Sequence, residues 1–355
     1  MYAAFLRRLS TRGAAGNKAL LFVAAFAGIF ISILVTSACG GRTARLQQTN
    51  GSSGGVSADR FPGGPRGPRR SPTTSPSPSI SGTISCPSFP AGGSHSFLTC
   101  QYQGSGGERM TFYVYVPNGY RSTKSYPMVL ILHGVDEAAD PYQSAAVNRA
   151  NLVEQEYVSV WGPGYPAGGP SVQSRWPCFV VVPQAVGSNR WVNAPSGVAS
   201  YQLTPRPSQA LQMAINITQL MDQRFASINP ERLYVTGISM GAYGVWDTIL
   251  RWPNLFAAAV PVSGAGDPAL ASRVAQLPIW DFHGGADNLV PVAGSQLMIQ
   301  ALRKAGGHPC YTQYPGQLHV IWNLVYGISR NSNNRLYPWL FAQAKNSDSA
   351  LPLAC

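Results

Sequence analysis

The chain has 355 residues, 45% of them hydrophobic and 11% charged, which is enough apolar content for one large core. Its net charge of +12 is unevenly spread: residues 1–85 hold ten Lys/Arg and one acid, whereas 86–355 hold sixteen and thirteen. A basic tail on a nearly balanced body, without any nucleic-acid-binding motif, argues against a nucleic-acid partner.

The chain opens with Arg7, Arg8, Arg12 and Lys18 ahead of an uncharged apolar run from Ala19 to Val35, followed by Thr36-Ser37-Ala38-Cys39. A basic stretch, an apolar stretch and small residues in that order predict an export signal or membrane anchor over 1–38. Cys39 after three small residues is a candidate for lipidation, which would attach the protein to a membrane. Thr36 stands where such sites usually carry Leu. Cleavage after Ala38 and an uncleaved anchor are the competing routes, and all three place the folded part outside the cytoplasm.

Residues 39–85 read as a disordered spacer. Gly, Pro, Ser and Thr fill 28 of the 45 positions from 41 to 85, a composition that cannot bury a core. The folded domain is expected over 86–355. Of the six cysteines, none forms a Cys-x-x-Cys pair. In an oxidising compartment Cys86 pairs sensibly with Cys100 and Cys310 with Cys355. Cys178 opens an apolar run and is expected as a buried free thiol. No metal-ligand cluster is visible, so neither metal nor other cofactor is expected.

Strands are predicted at Arg109–Pro117 and Tyr126–Leu132, the latter apolar without alternation, as expected when both faces are covered. Residues 136–177 are long for a crossover, contain a helical pattern near 145–158, and are expected to overhang a site. Strand Phe179–Pro183 and helix Ser208–Phe225 follow. Then come strand Leu233–Thr236, helix Tyr243–Leu250, strand Ala257–Val262, strand Ile279–Phe282, a helix from about Val292 to Ala305, strand Cys310–Tyr314 and a helix near Leu336–Ala344. Strands alternating with helices predict an α/β fold, with a mostly parallel, doubly wound sheet and helices on both faces.

Ser239 lies between Gly237 and Gly241, at the junction of a strand and a helix. That is a Gly-x-Ser-x-Gly nucleophile elbow. Serine attacks carbonyls only when a base takes its proton and a third group orients the base. The partners are expected in the order serine, acid, histidine. Asp287 follows strand Ile279–Phe282, His319 follows strand Cys310–Tyr314, and both lie in loops at strand ends. The backbone N–H groups of Met240 and Val135 are the expected oxyanion donors. Asp281, inside its strand, reads as structural. His133 and His283, each followed by glycine, read as hydrogen-bonding residues that shape loops. Trp322 is a candidate pocket wall, Trp191 a candidate cleft residue, and Tyr243 and Trp246 read as core.

The runs TGISMGAYGVWDTILRWPNLFAAAVPVSGAGD (236–267), FHGGADNLVPV (282–292) and YPGQLHVIW (314–322) resemble the secreted carboxylesterase and predicted-peptidase branch of the α/β-hydrolases. That branch is akin to polyhydroxybutyrate depolymerases, feruloyl esterases and prolyl-oligopeptidase-like domains. The resemblance spans roughly residues 105–345. It implies the α/β-hydrolase fold, a Ser239, Asp287 and His319 triad, and a functional Gln184 and Trp191 near the cleft. It departs at Val320, where relatives often carry a small or acidic residue. The substrate expected is a small or polymeric ester. Depolymerase, feruloyl or acetyl-glycan esterase and peptidase activities are alternatives on the same triad. A hydrolase-like surface protein without activity is the alternative of another class.

Overall fold

The computed structural model describes residues 81–327 and 335–345. The predicted signal, most of the spacer, Cys39 and Cys355 lie outside the described residues.

The sheet of the described residues is built on runs that satisfy its two faces alternately. In β4 (Tyr126–Leu132) every residue is buried; Met128, Leu130 and Leu132 join one core cluster, and Val129 and Ile131 the other. That is the period-two consequence of a pleated strand. Each aliphatic side chain so buried contributes about 2 kcal/mol, which favours a central place for a run with no polar member. β5 (Phe179–Pro183), β6 (Ile228–Ile238), β7 (Ala258–Val262) and β8 (Trp280–Gly284) continue this core. β9 (Cys310–Tyr314) closes one edge.

The strand order is β1-β2-β3-β5-β4-β6-β7-β8-β9, where β1 is Thr83–Ser85, β2 Leu98–Gln103 and β3 Arg109–Tyr115. From β5 to β9 neighbours are parallel; β1, β2 and β3 run antiparallel along the other edge. This is the expected α/β-hydrolase fold. The first strand lies ahead of Cys86, where the sequence places the start of the folded part.

Seven α-helices cover the sheet among the described residues. α3 (Gln209–Arg224), α4 (Met240–Arg251) and α5 (Ala293–Lys304) pack on one face. α1 (Ala145–Val153), α2 (Glu156–Ser159), α6 (Trp322–Val325) and α7 (Leu336–Phe341) pack on the other. The helical pattern near 145–158 is therefore two helices. α3 starts where Ser208 caps it, its hydroxyl accepting from the Leu211 N–H at 3.0 Å.

Cys86 and Cys100 form the expected disulfide, which ties the segment after β1 to β2. Cys178 is the expected buried free thiol, and burial pushes its pKa up to about 12. Cys310 is disulfide-bonded; the expected pairing with Cys355 falls on a residue outside those described. Cross-linking two positions 14 residues apart stabilises a fold by about 3 kcal/mol. Replacing Cys86 and Cys100 together with Ser is expected to lower the unfolding free energy by about that amount, read from the urea midpoint. An unchanged midpoint would contradict it.

Candidate active site

The elbow is set by backbone crowding. β6 ends at Ile238 and α4 begins at Met240, so Ser239 alone makes the turn, at φ 51° and ψ −119°. That region is costly for a residue with a side chain. Gly241 is required because a Cβ there would lie 1.9 Å from the Leu132 carbonyl oxygen. At Gly237 a Cβ would lie 2.7 Å from the Gly241 backbone. The turn is locked by a bond from the Ser239 N–H to the Val262 carbonyl at 2.9 Å.

His319 and Asp287 meet the serine here. The His319 Nε2 lies 2.8 Å from Ser239 Oγ, and its Nδ1 lies 2.7 Å from Asp287 Oδ2. With Asp287 accepting at Nδ1, the ring's Nε2 is free to accept the serine proton. Three elements converge to make this contact: the elbow, the loop after β8 and the loop after β9. Gly284 allows the last two to approach, since a Cβ there would lie 2.1 Å from the Leu318 carbonyl oxygen. The Ser263 hydroxyl, on the loop after β7, donates to the His319 carbonyl at 3.1 Å and holds that loop from below.

Asp287 is held as a carboxylate. Burial disfavours its charge, but bonds from His283, His319 and the Val290 and Leu289 N–H groups outweigh that cost and hold it well below the usual carboxylate range. Both backbone bonds reach Oδ1 at 2.9 Å.

Above Ser239 lies a cavity of about 300 Å³. Its wall is apolar, made by Val192, Ala194, Pro195, Tyr243, Leu289 and Val290, with Val135, Met240 and His319 beside the serine and Arg190 at the rim. Val192, Tyr243 and Val290 also pack with Ala265 as a small separate core, so the wall is itself supported. The Met240 N–H opens α4, where no carbonyl of the helix stands four residues back to receive it.

Several expected residues sit elsewhere. Trp191 is fully buried rather than in the cleft: its indole N–H donates to the His133 carbonyl at 2.9 Å, and its side chain packs on Gly244. Gln184 is also buried, and its amide is spent on the scaffold. The amide nitrogen donates to the Glu137 and Asn148 carbonyls at 2.9 and 2.8 Å, while the amide oxygen accepts from the Tyr113 hydroxyl at 3.0 Å. Trp322 meets the His319 ring edge-on, with centroids 5.8 Å apart, and does not line the cavity. The 136–177 segment does not overhang the site either; its helices pack on the sheet face that also carries α6 and α7. The overhang comes from 190–197, a stretch whose Gly, Ser, Asn and Pro carry no periodicity to reveal it. Tyr243, read as core, is buried but lines the cavity, its hydroxyl fixed to the Val198 carbonyl.

His133 is buried, accepts from the Ala185 N–H at 3.0 Å, and has its pKa lowered to about 4 by burial, against the opposing bond to the Gly134 carbonyl. Asp281 is also buried, with neither oxygen in hydrogen-bonding geometry to a partner. Burial raises its pKa to about 7, although Ser295 and His283 stand near enough to oppose the rise.

This is the geometry of a hydrolase of the α/β-hydrolase superfamily. The Esterase family model matches residues 104–323, and the chain belongs to that family. It is 27% identical to Carboxylesterase SOBER1 of Arabidopsis thaliana over 42% of this chain and 65% of that one. It is 26% identical to Poly(3-hydroxyalkanoate) depolymerase C of Paucimonas lemoignei over 44% and 31%. It is 24% identical to the bifunctional acetylxylan esterase/xylanase XynS20E of Neocallimastix patriciarum over 67% and 29%. A crystal structure of a thermostable esterase aligns with a TM-score of 0.57 and 29% identity, over 70% of this chain and 63% of that one. The chain thus spans under two thirds of the plant carboxylesterase and of the thermostable esterase.

The environment of Asp281 yields a pH prediction. Folding favours its neutral form, so that contribution is complete below about pH 4 and is lost as pH climbs through about 7. Glu137, raised to about 7 chiefly by burial, acts in the same direction. Asp281→Asn is therefore expected to lose about 1 kcal/mol less stability than wild type between pH 6 and pH 8. Urea unfolding at the two values checks it; parallel losses in the two proteins would refute the assignment.

Proposed function

We propose that this chain is an exported serine esterase that cleaves carboxylic esters through an acyl-enzyme on Ser239. The observation that carries the reading is the continuous contact from Ser239 Oγ to His319 Nε2 at 2.8 Å and from His319 Nδ1 to Asp287 Oδ2 at 2.7 Å.

In this mechanism His319 Nε2 takes the serine proton as Oγ attacks the ester carbonyl. Asp287 holds the ring and stabilises the imidazolium. The negative charge developing on the carbonyl oxygen is received by the Met240 and Val135 N–H groups. The tetrahedral intermediate collapses, the carbon–oxygen bond to the alcohol breaks, and the imidazolium returns its proton to the leaving oxygen. Water then attacks the acyl-enzyme, with His319 again as base. The acid is released and Ser239 Oγ regains its proton.

The cavity supports a small apolar acyl or alcohol group beside the serine. Relatives named as carboxylesterase, polyhydroxyalkanoate depolymerase and acetylxylan esterase support an ester rather than a peptide bond. Polymeric ester hydrolysis is the second reading, favoured by the depolymerase relative and by the exposed rim at Val135 and Leu289.

Export rests on the 1–38 segment and on a disulfide of the kind that persists outside the cytoplasm. A relative named as a secreted protein of Arthroderma benhamiae supports it. In this organisation 1–38 is the targeting segment, the residues from 39 to about 80 a spacer, and the catalytic domain begins ahead of Cys86, with β1 at Thr83–Ser85. Cys39→Ser is expected to abolish incorporation of labelled palmitate; retained label would exclude lipidation at that residue.

Ser239→Ala should leave the fold unchanged by circular dichroism and reduce ester turnover by roughly 10⁵–10⁶-fold. Asp287→Asn should cost about 10⁴-fold, because the amide favours the wrong histidine tautomer. Steady-state kinetics on p-nitrophenyl acetate, a feruloyl ester, an acetylated xylan and polyhydroxybutyrate test both the nucleophile and the substrate class. A Ser239→Ala protein that retained a tenth of wild-type activity would remove the nucleophile assignment.

A further inference from the structure

The acid at the centre of the proposed triad has a second imidazole. His283, at the end of β8, is fully buried, and its Nε2 lies 3.2 Å from Asp287 Oδ2. The same nitrogen lies 3.1 Å from the Val290 carbonyl oxygen. Both neighbours only accept, so Nε2 carries a proton: its N–H bonds the Val290 carbonyl and at the same time faces Asp287 Oδ2 at 3.2 Å, lowering the pKa of that carboxyl. The other nitrogen, Nδ1, lies 2.7 Å from the Ser295 hydroxyl on α5. With the proton on Nε2, Nδ1 is the acceptor and Ser295 the donor. One tautomer satisfies every contact of the ring.

Asp287 is consequently saturated. Its Oδ1 takes the Leu289 and Val290 N–H groups, and its Oδ2 takes His319 and His283. The two backbone bonds come from the turn in which Asp287 itself sits and hold only one oxygen. His283 is the group, fixed in a strand, that holds the oxygen facing the catalytic base. Rotation of the carboxylate away from His319 breaks the bond to His283 as well.

We propose that His283 is a positioning residue for the ester hydrolysis: its Nε2–H fixes the Asp287 carboxylate against His319 and withdraws part of its charge. The inference rests on the triad reading above. Its electrostatic consequence has a definite direction. Without the donor, Asp287 bears more negative charge toward His319, the catalytic imidazole holds its proton more tightly, and the acid limb of kcat/KM moves to higher pH. The groups facing this pair are Asp281 on the same strand, Ser295 on α5, Tyr243 on α4 and Tyr311 on β9. Burial raises the pKa of both phenols, with Asp287 adding to the rise at Tyr243 and Asp281 at Tyr311, so both stay neutral through the working range.

His283→Gln and His283→Leu separate the proposed role from mere packing. The glutamine amide nitrogen reaches the position of Nε2 and donates; leucine fills the space and does not. His283→Gln is expected to stay within about threefold of wild-type kcat with the acid limb in place. His283→Leu is expected to lose about tenfold in kcat at unchanged KM, the worth of one hydrogen bond to a charged group. Its acid limb should move up by about half a pH unit. Equal losses in the two variants with the limb unmoved, or a wild-type profile for His283→Leu, would overturn the proposal. Should His283→Leu fail to fold, the ¹⁵N-imidazole spectrum of the wild-type protein decides. A proton on Nε2 and none on Nδ1 of His283 supports the role; the opposite tautomer refutes it. Ser239→Ala and Asp287→Asn serve as controls. If either keeps activity, the triad reading fails and the inference with it. If both are inactive while His283→Leu is unaffected, only the inference fails.

Discussion

The site depends on one steric constraint, the closeness of the elbow to the end of β4. The first turn of α4 sits so near the Leu132 carbonyl that residue 241 has no room for a Cβ. That approach forces Ser239 into a left-handed conformation and aims its hydroxyl out of the sheet. It also sets the first N–H of α4 next to the His133-Gly134-Val135 loop, which leaves the neighbouring strand end. The proposed nucleophile and the candidate oxyanion donors are thus products of a single backbone contact. On the other side of β6, the Thr236 hydroxyl donates to the Val260 carbonyl at 2.8 Å and ties the strand that carries the elbow to β7.

The second condition is electrostatic. A carboxylate placed under a cavity as apolar as this one would tend to take up a proton. Asp281, two residues before His283, shows that outcome: buried without a bonding partner, it has its pKa raised to about 7. Asp287 escapes it because four donors converge on its two oxygens. Two carboxyl groups six residues apart are thus pushed in opposite directions, Asp281 up by deeper burial and Asp287 down by its hydrogen bonds. The cavity wall is built separately, from the 190–197 loop and the residues after Asp287. Loop changes there can alter which ester fits without disturbing the donors that hold the acid.

The central sheet was readable from the chain because β4 and β5 are continuous apolar runs and β9 is rich in β-forming residues. Tyr126–Leu132, Phe179–Pro183 and Cys310–Tyr314 have the boundaries the apolar or β-rich runs predict. The elbow was readable because glycines two residues either side of a serine, at a strand–helix junction, suit few turns besides this one. β1 and β2 were not: Thr83–Ser85 lies at the end of a Ser/Pro-rich stretch, and in Leu98–Gln103 polar residues hold half the positions. Trp191 misled because a tryptophan in a Gly/Ser/Asn loop suggests a ligand contact. Its burial follows from His133, 58 residues earlier, offering a carbonyl to its indole. The role of Gln184 is likewise decided by Glu137 and Asn148, distant in the chain. Such partners come from tertiary structure and leave no local pattern.

The most direct test of the central claim is covalent. A fluorophosphonate loses fluoride to an activated serine and leaves a stable phosphonyl ester on Oγ. After treatment of the protein, peptide mass mapping should find about one adduct per chain, confined to the peptide carrying Ser239, with esterase activity falling in step. Pre-incubation with a slow ester substrate should retard the labelling. An unlabelled Ser239, or an adduct on another serine that abolishes activity, would contradict the assignment of Ser239 as the nucleophile.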